Sequence, residues 1–422
     1  MDSTLFISYH FPPQGGAGVQ RSIKFAKLLP LFDVKPTILT TSIDRPRTAE
    51  SWTPYDQTML TEVPDTVNVL RVAWPSDELE YDRVFDSIDL SKFNSVFVTL
   101  SPFSDALLAA SIARKIGKPW IADLRDPWAL DEFQVHRSFW HRRVEVRKML
   151  NALSSASHII MNTPEAVQKF RNALPELSDT PVTPITNGYD ADDFKTWHQK
   201  IENDKFSIVH SGFLHTKSGL RQRRRRIEYL LLGRTVEGMQ SLTRSHFYLM
   251  QAIERFLKFV PSARKETRLT LAGALNDTDL EVVHRSDAKD IVDTPGYLNH
   301  NDSVSLIRNA DLLFFPMHRL APGHRSSIVP GKAYEYMATG KPILAAVPEG
   351  DAKDFLKKYG AAFLCGPDDV DAMAQILSER YNAWKKDTQC PVPNWEFIQR
   401  FERKNLTRML AEVINSVVAC RS

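Results

Sequence analysis

The sequence predicts an α/β protein made of two doubly wound domains facing across a cleft. Three observations carry this expectation. Short apolar, β-branched runs alternate with helix-period segments, the pattern of parallel strands covered by helices on both faces. The alternation lapses near residue 190 and restarts near residue 206. A chain of 422 residues is also too long for one ordinary core.

Taken in order, the first series of strand candidates is 4–9, 35–40, 67–72, 95–100, 119–124 and 157–162. Each is short, apolar or β-branched, and bounded by turn residues. Helical patterns at 104–117 and 163–174 lie between them. The stretch "TNGYDADDFKTWHQKIENDK" is polar and turn-rich and reads as a linker. The second series has strands at 206–212, 268–273, 311–317, 341–347 and 361–365, with helices at 245–260, 301–310 and 331–340. A single long amphipathic helix is expected over 394–418. The expected organisation is a domain over 1–190, a linker over 191–205, a second domain over 206–390 and a terminal helical segment over 391–422.

Composition narrows the class. Hydrophobic residues make up 43% and charged residues 25%, near the soluble globular average. No apolar run is long enough to predict a membrane span, and "MDSTLFISYHF" reads as a first strand rather than a signal peptide. The expectation is a cytoplasmic protein. Cys365, Cys390 and Cys420 are far apart and offer neither a disulfide framework nor a zinc pattern. The twelve histidines show no His-x-x-x-His or His-Glu-x-x-His spacing, so no metal site is expected. A Gly-x-Ser-x-Gly elbow is absent, which removes the usual α/β-hydrolase reading.

Four stretches could carry chemistry. In "FPPQGGAGVQR", Gly15 and Gly16 separate the first strand from a helix whose free N–H groups suit a phosphate. The bland alternative is a plain strand-to-helix turn. Arg21 follows as an extra anion contact or a side chain turned to solvent. In "WIADLRDPWA", Asp123, Arg125 and Asp126 stand at a strand's carboxyl end, where ligands bind in such sheets. A carboxylate there could orient a sugar hydroxyl or act as a base; an Arg–Asp pair capping the next element is the other reading. In "SSIVPGKAYEYMATGKPILA", Gly331 opens a short helix with Lys332 in its first turn, where the helix dipole disfavours a cation unless an anion binds nearby. Glu335 is placed to accept two hydrogen bonds from a diol. In the fourth stretch, "HSG" puts Gly212 at a strand end, and Arg244 stands just before a helix, suited to a charge-assisted phosphate contact.

Two basic stretches stand apart. "RQRRRR" (221–226) suggests a solvated loop or a contact with anionic lipid, and nucleic acid is disfavoured because no aromatic interleaving accompanies it. "HRSFWHRRVEVRKML" (136–150) mixes arginines with Phe139 and Trp140. It suits an interfacial helix, or an ordinary surface helix with Trp140 packed inward.

Together, "YHFPPQGGAGVQR", "ADLRDPW" and "VPGKAYEYMATGKPIL" resemble the GT-B fold glycosyltransferases, specifically the retaining GT4 family and its bacterial cell-surface-polysaccharide branch. The resemblance spans the chain in the right order. It implies two Rossmann-like domains and a carboxyl-terminal helix crossing back to the first. It implies transfer of a sugar from a UDP- or GDP-linked donor to a saccharide or lipid-linked acceptor with retention, with no tightly bound cofactor. Glu335 would hold the ribose; Lys332 and Arg244 would contact phosphate; Gly15 and Gly16 would approach the diphosphate. Asp123, Arg125 and Asp126 would lie by the reacting sugar and acceptor. Peripheral contact with the inner face of the membrane, through 136–150 and 221–226, stays open. One departure matters: the family's first motif glutamate is replaced by Ser327. The usual phosphate lysine does not follow Arg244, so Lys217 and Arg234 are rival ligands. A GT-B nucleotide-sugar 2-epimerase and a non-catalytic sugar-nucleotide-binding protein are the alternatives.

Overall fold

The computed structural model describes residues 2–15, 17–43, 57–195, 204–388 and 390–420. Gly16 and most of the expected linker lie outside the described residues. The chain forms two compact units. One comprises Met1–Asp131, Arg143–Gly188 and Phe401–Ser422; the other comprises Glu132–Arg142 and Tyr189–Arg400.

The first unit holds seven strands: β1 (Asp2–Ile7), β2 (Val34–Thr41), β3 (Asn68–Val72), β4 (Ser95–Thr99), β5 (Trp120–Leu124), β6 (His158–Met161) and β7 (Val182–Pro184). They pair in the order β3-β2-β1-β4-β5-β6-β7, every pair parallel. The order reverses at β1/β4, the position where such sheets bind ligands. All residues of β4 and β5 are buried, as continuous apolar strands covered on both faces must be. One face packs against helices that include Asp105–Ile116 and Pro164–Ala173. The other receives the Ala17–Leu28 helix, through Val19 and Ile23, and the terminal Arg403–Ala419 helix, through Leu406, Leu410 and Ile414.

The second unit holds β8 (Phe206–Ser211), β9 (Thr267–Ala272), β10 (Val292–Gly296), β11 (Leu312–Pro316), β12 (Ile343–Ala346) and β13 (Ala362–Cys365). The order is β10-β9-β8-β11-β12-β13, again parallel, with its reversal at β8/β11. Helices Phe247–Phe259 and Val370–Lys385 cover one face.

Three features depart from expectation. The strands β7 and β10 were not legible: both are edge strands carrying proline, Pro184 and Pro295. Proline is tolerated there because the outer side needs no ladder N–H. The carboxyl-terminal segment is two helices, Trp395–Gln399 and Arg403–Ala419. Phe397 packs on Phe355 in the second unit, whereas Leu406 and Leu410 belong to the first unit's core. A backbone step to extended φ/ψ at Glu402 separates them. The arginine run 221–226 is helical rather than a loop, ending the Thr216–Arg224 helix and starting Arg226–Leu231.

Candidate functional site

In the second unit, cationic groups gather at the carboxyl ends of β8 and β11, where the strand order reverses. Lys332 enters from the first turn of the Gly331–Ala338 helix. That helix is tied to β8 by Tyr336, whose hydroxyl accepts from Ser211 N at 2.9 Å. Lys332 Nζ lies 3.3 Å from His210 Nε2, and His210 Nδ1 lies 3.0 Å from the Phe314 carbonyl. A carbonyl only accepts, so Nδ1 carries the imidazole proton and Nε2 accepts from the ammonium. Burial, with the neighbouring Lys332 cation, drives His210 well below its ordinary pKa and keeps it neutral. Lys332 itself is pushed down to about 7, by burial first and by the Arg244 cation second, with Glu335 opposing. His215 falls to about 3 through burial, Arg244, Lys332 and His318. This pocket therefore disfavours added positive charge and favours an anion.

Gly212 makes room for it. Its φ is +121°, and a Cβ there would stand 2.7 Å from Lys332 Nζ. At Gly331, by contrast, a Cβ would meet nothing within 4 Å, so the start of the helix backbone is open. Glu335 sits half-buried one turn beyond Lys332. Arg244 is positioned by the segment 214–243. Gln222 Oε1 accepts from Ser241 N at 2.8 Å, its Nε2 donates to Met239 O at 2.7 Å, and His215 N donates to Arg244 O at 3.1 Å.

The wall of this pocket comes from an unexpected stretch, the Glu132–Arg142 excursion. Phe133 lies 4.9 Å beneath the Arg244 guanidinium and edge-on to His215 and His318 at 4.7 and 5.4 Å. Glu132 is buried. Its Oε1 accepts from Ser326 Oγ at 2.6 Å and from Ser327 N at 2.8 Å, and its Oε2 accepts from Ser327 Oγ at 2.7 Å. His318 Nε2 is 3.7 Å away. A carboxylate thus sits at Ser327 after all, delivered from far upstream. Sequence reasoning missed Glu132, Phe133, His210, His215 and His318. The Glu132 partners are 194 and 195 residues away, and nothing local in "WALDEFQVH" marks them.

In the first unit, the "ADLRDPW" residues separate into a buried layer and an outer one. Arg21 does neither thing expected of it. It is 1% exposed and grips Asp123 through Nε and NH2 at 2.9 and 2.7 Å. NH1 and NH2 also donate to the Thr186 and Ile185 carbonyls at 2.6 and 2.9 Å. Arg21 is therefore not an anion contact, and Asp123 is not open to a substrate: the pair ties the helix after β1 to the end of β5. A buried pair of this kind needs its whole hydrogen-bond shell, which the two carbonyls complete. Asp126, exposed, is the carboxylate of this loop that meets solvent. Arg125 Nε lies 3.9 Å from it and has no hydrogen-bond partner among the described residues. The Arg125 guanidinium lies so close to Gly18, in the first turn of the Ala17–Leu28 helix, that a Cβ there would be 1.6 Å from NH1. The close approach to Gly18 is thus made by an arginine of the same unit, and Gly15 is buried. Trp128 holds φ +50° and stacks on Phe103 at 4.7 Å, which supports the strained turn.

The rival phosphate ligands fall away from the cluster. Arg234 donates to Glu228 and to His136 O and lies over the Tyr229 ring at 4.6 Å. Lys217 is exposed on the Thr216–Arg224 helix, and no described contact joins it to Lys332 or Arg244.

Residues 241–382 match the family model described as glycosyl transferases group 1, the span that holds Arg244, Ser327, Lys332 and Glu335. Among curated proteins, none matches the chain in sequence. The whole chain shares its fold with solved structures of low identity. The Anabaena Alr3699/HepE structure in complex with UDP and glucose is 17% identical, with a TM-score of 0.64 over 99% of this chain and 100% of that one. Sucrose-phosphate synthase (tll1590) from Thermosynechococcus elongatus is 13% identical, at 0.62 over all of both chains. A glycosyltransferase from Rickettsia africae ESF-5 is 11% identical, at 0.65 over 99% and 98%. With its two parallel-sheet units, the fold is the GT-B type.

Proposed function

We propose that this protein is a retaining glycosyltransferase of the GT4 kind, moving a hexosyl group from a nucleoside diphosphate sugar to an acceptor hydroxyl. The observation that carries the reading is the half-buried Lys332–Arg244 pair at the β8/β11 reversal, inside the region that matches the glycosyltransferase model. Two half-buried cations that repel each other, flanked by neutral imidazoles, are a costly arrangement that a diphosphate relieves. That the HepE structure holds UDP supports the same choice of ligand.

In this reading Lys332 and Arg244 take the diphosphate, and the N–H groups at Gly331 and the open backbone at Gly212 add to them. Glu335 accepts the ribose hydroxyls. As the bond from the anomeric carbon to the phosphate oxygen breaks, negative charge grows on the diphosphate, and the fixed cations stabilise it without reorganising. The acceptor oxygen bonds the same carbon, and the departing phosphate oxygen takes its proton. No protein base is required, so Asp126 and Arg125 serve the acceptor by orientation, with the Arg21–Asp123 pair as their support. Gly15 and Gly16 keep their assignment to the diphosphate. Glu132 is a positioning residue: it holds Ser326 and Ser327, the run leading into the Lys332 helix. The setting that suits this activity is cytoplasmic synthesis of a surface polysaccharide or glycolipid.

Titration calorimetry with UDP and GDP tests the donor site, and labelled nucleotide sugars with lipid acceptors test transfer. Binding of one nucleotide, weakened at least tenfold by Glu335→Ala, is expected. Binding of neither overturns the reading, and unchanged affinity in the variant removes the ribose assignment.

A further inference from the structure

Among the described residues no helix is long and apolar enough to cross a membrane, yet the second unit bears a surface with two properties of an interfacial one. In the Arg226–Leu231 helix, Ile227, Leu230 and Leu231 occupy positions i, i+3 and i+4, hence one face. That face normally packs on a core. Here all three side chains are at least 75% exposed. The arginines Arg221, Arg223, Arg224, Arg225 and Arg226 lead into this stripe, and all are exposed.

The second basic stretch meets the first. His136 N donates to Arg234 O at 2.8 Å and Phe139 N donates to Leu232 O at 2.9 Å. Residues 136–139 thus run alongside 232–234, far apart in sequence. Trp140, once a candidate for inward packing, is 69% exposed, and Arg137 is exposed beside it. Two segments that the sequence offered separately are thus hydrogen-bonded side by side, each carrying exposed apolar side chains and arginines.

We propose that this surface docks on an anionic lipid bilayer, with Ile227, Leu230, Leu231 and Trp140 entering the headgroup layer and the arginines engaging lipid phosphates. Arginine stems lie along apolar surface while their heads reach the polar layer, and exposed apolar patches of this kind need a cover. A second copy of the chain is the poorer cover. Glu228 is the only acidic residue between Lys217 and Arg234, and it already binds Arg225 and Arg234. Two copies face to face would oppose like charges; an anionic membrane complements them. The proposal stands apart from the donor-site reading.

Co-sedimentation of the full chain with vesicles tests it. Binding is expected to equimolar phosphatidylglycerol and phosphatidylcholine, and not to phosphatidylcholine alone. Replacing Arg221, Arg224 and Arg226 by alanine should weaken binding about 100-fold, near fivefold per arginine. Replacing Ile227, Leu230 and Leu231 by serine should weaken it about tenfold or more. Both triple variants should melt as the parent does, since the altered side chains are exposed. No binding to anionic vesicles, or binding that both variants retain, overturns the proposal. So does a dimer, seen by sedimentation velocity, that the apolar variant abolishes. Titration of UDP and of GDP on the same variants keeps the two proposals separable: vesicle binding without binding of either nucleotide leaves the docking surface intact and sinks the donor site.

Discussion

Lys332 should take up a proton when a nucleotide sugar binds. In the free protein its pKa is about 7, so near pH 7 roughly half of the molecules carry a neutral amine. A diphosphate beside Nζ adds two negative charges at contact distance and restores the ammonium. Uptake should then be about 0.5 proton near pH 7 and about 0.9 near pH 8, the neutral fraction at each. The sign of the affinity follows. Well below the free pKa, Lys332 is charged with or without ligand, and affinity is flat with respect to this group. Above it, affinity falls as pH rises, by about fivefold from pH 7 to pH 8, until the pKa of the complex is reached. The probe is UDP-glucose or GDP-mannose, whichever binds, because neither diphosphate titrates in this window. Calorimetry in buffers of contrasting ionisation enthalpy counts the protons. Lys332→Met should abolish the uptake and cost about 2 kcal/mol of binding, the worth of a charge-assisted hydrogen bond. Tight binding with no buffer dependence near pH 8 would refute the reasoning.

The other expectations follow from the same contacts. Glu132→Ala leaves buried Ser326 and Ser327 donors without their carboxylate and should destabilise the second unit by about 3 kcal/mol, read by urea denaturation. Glu132→Gln keeps one accepting oxygen and should cost about half as much; equal losses would show that the charge and the bonds are not what matter. Gly212→Ala sets a Cβ 2.7 Å from Lys332 Nζ at φ +121°. It should lower nucleotide affinity about tenfold or more, with about 1–2 kcal/mol of stability. Arg21→Met strands Asp123 in the core and should cost about 3–5 kcal/mol. Adding Asp123→Leu should recover part of that, and no recovery would mean that the pair is not what Arg21 contributes.

Much of the fold was legible because its signals are local. Parallel strands buried on both faces must be short apolar runs, and β4 and β5 read as such. Gly212, Lys332 and Glu335 could be picked out for a similar reason: each is an odd choice for its own position, at a strand end or a helix start. Arg21 shows the limit. A basic residue in an opening helix turn looks the same whether it meets solvent, a phosphate or a buried aspartate 102 residues away. Glu132 shows it more sharply, since its value lies wholly in Ser326 and Ser327.

What the sequence by itself determined is therefore the alternation of strand and helix, the paired α/β units and the residues whose chemistry is unusual where they stand. Only the tertiary structure decided which charges are buried, which are paired and which gather. It turned Asp123 from a candidate reactant into a support and put a carboxylate back beside Ser327 from another segment. It also set two basic stretches side by side. The physical reason is that a charge's energy depends on its solvation and its neighbours, and both are set by contacts between residues far apart in the chain.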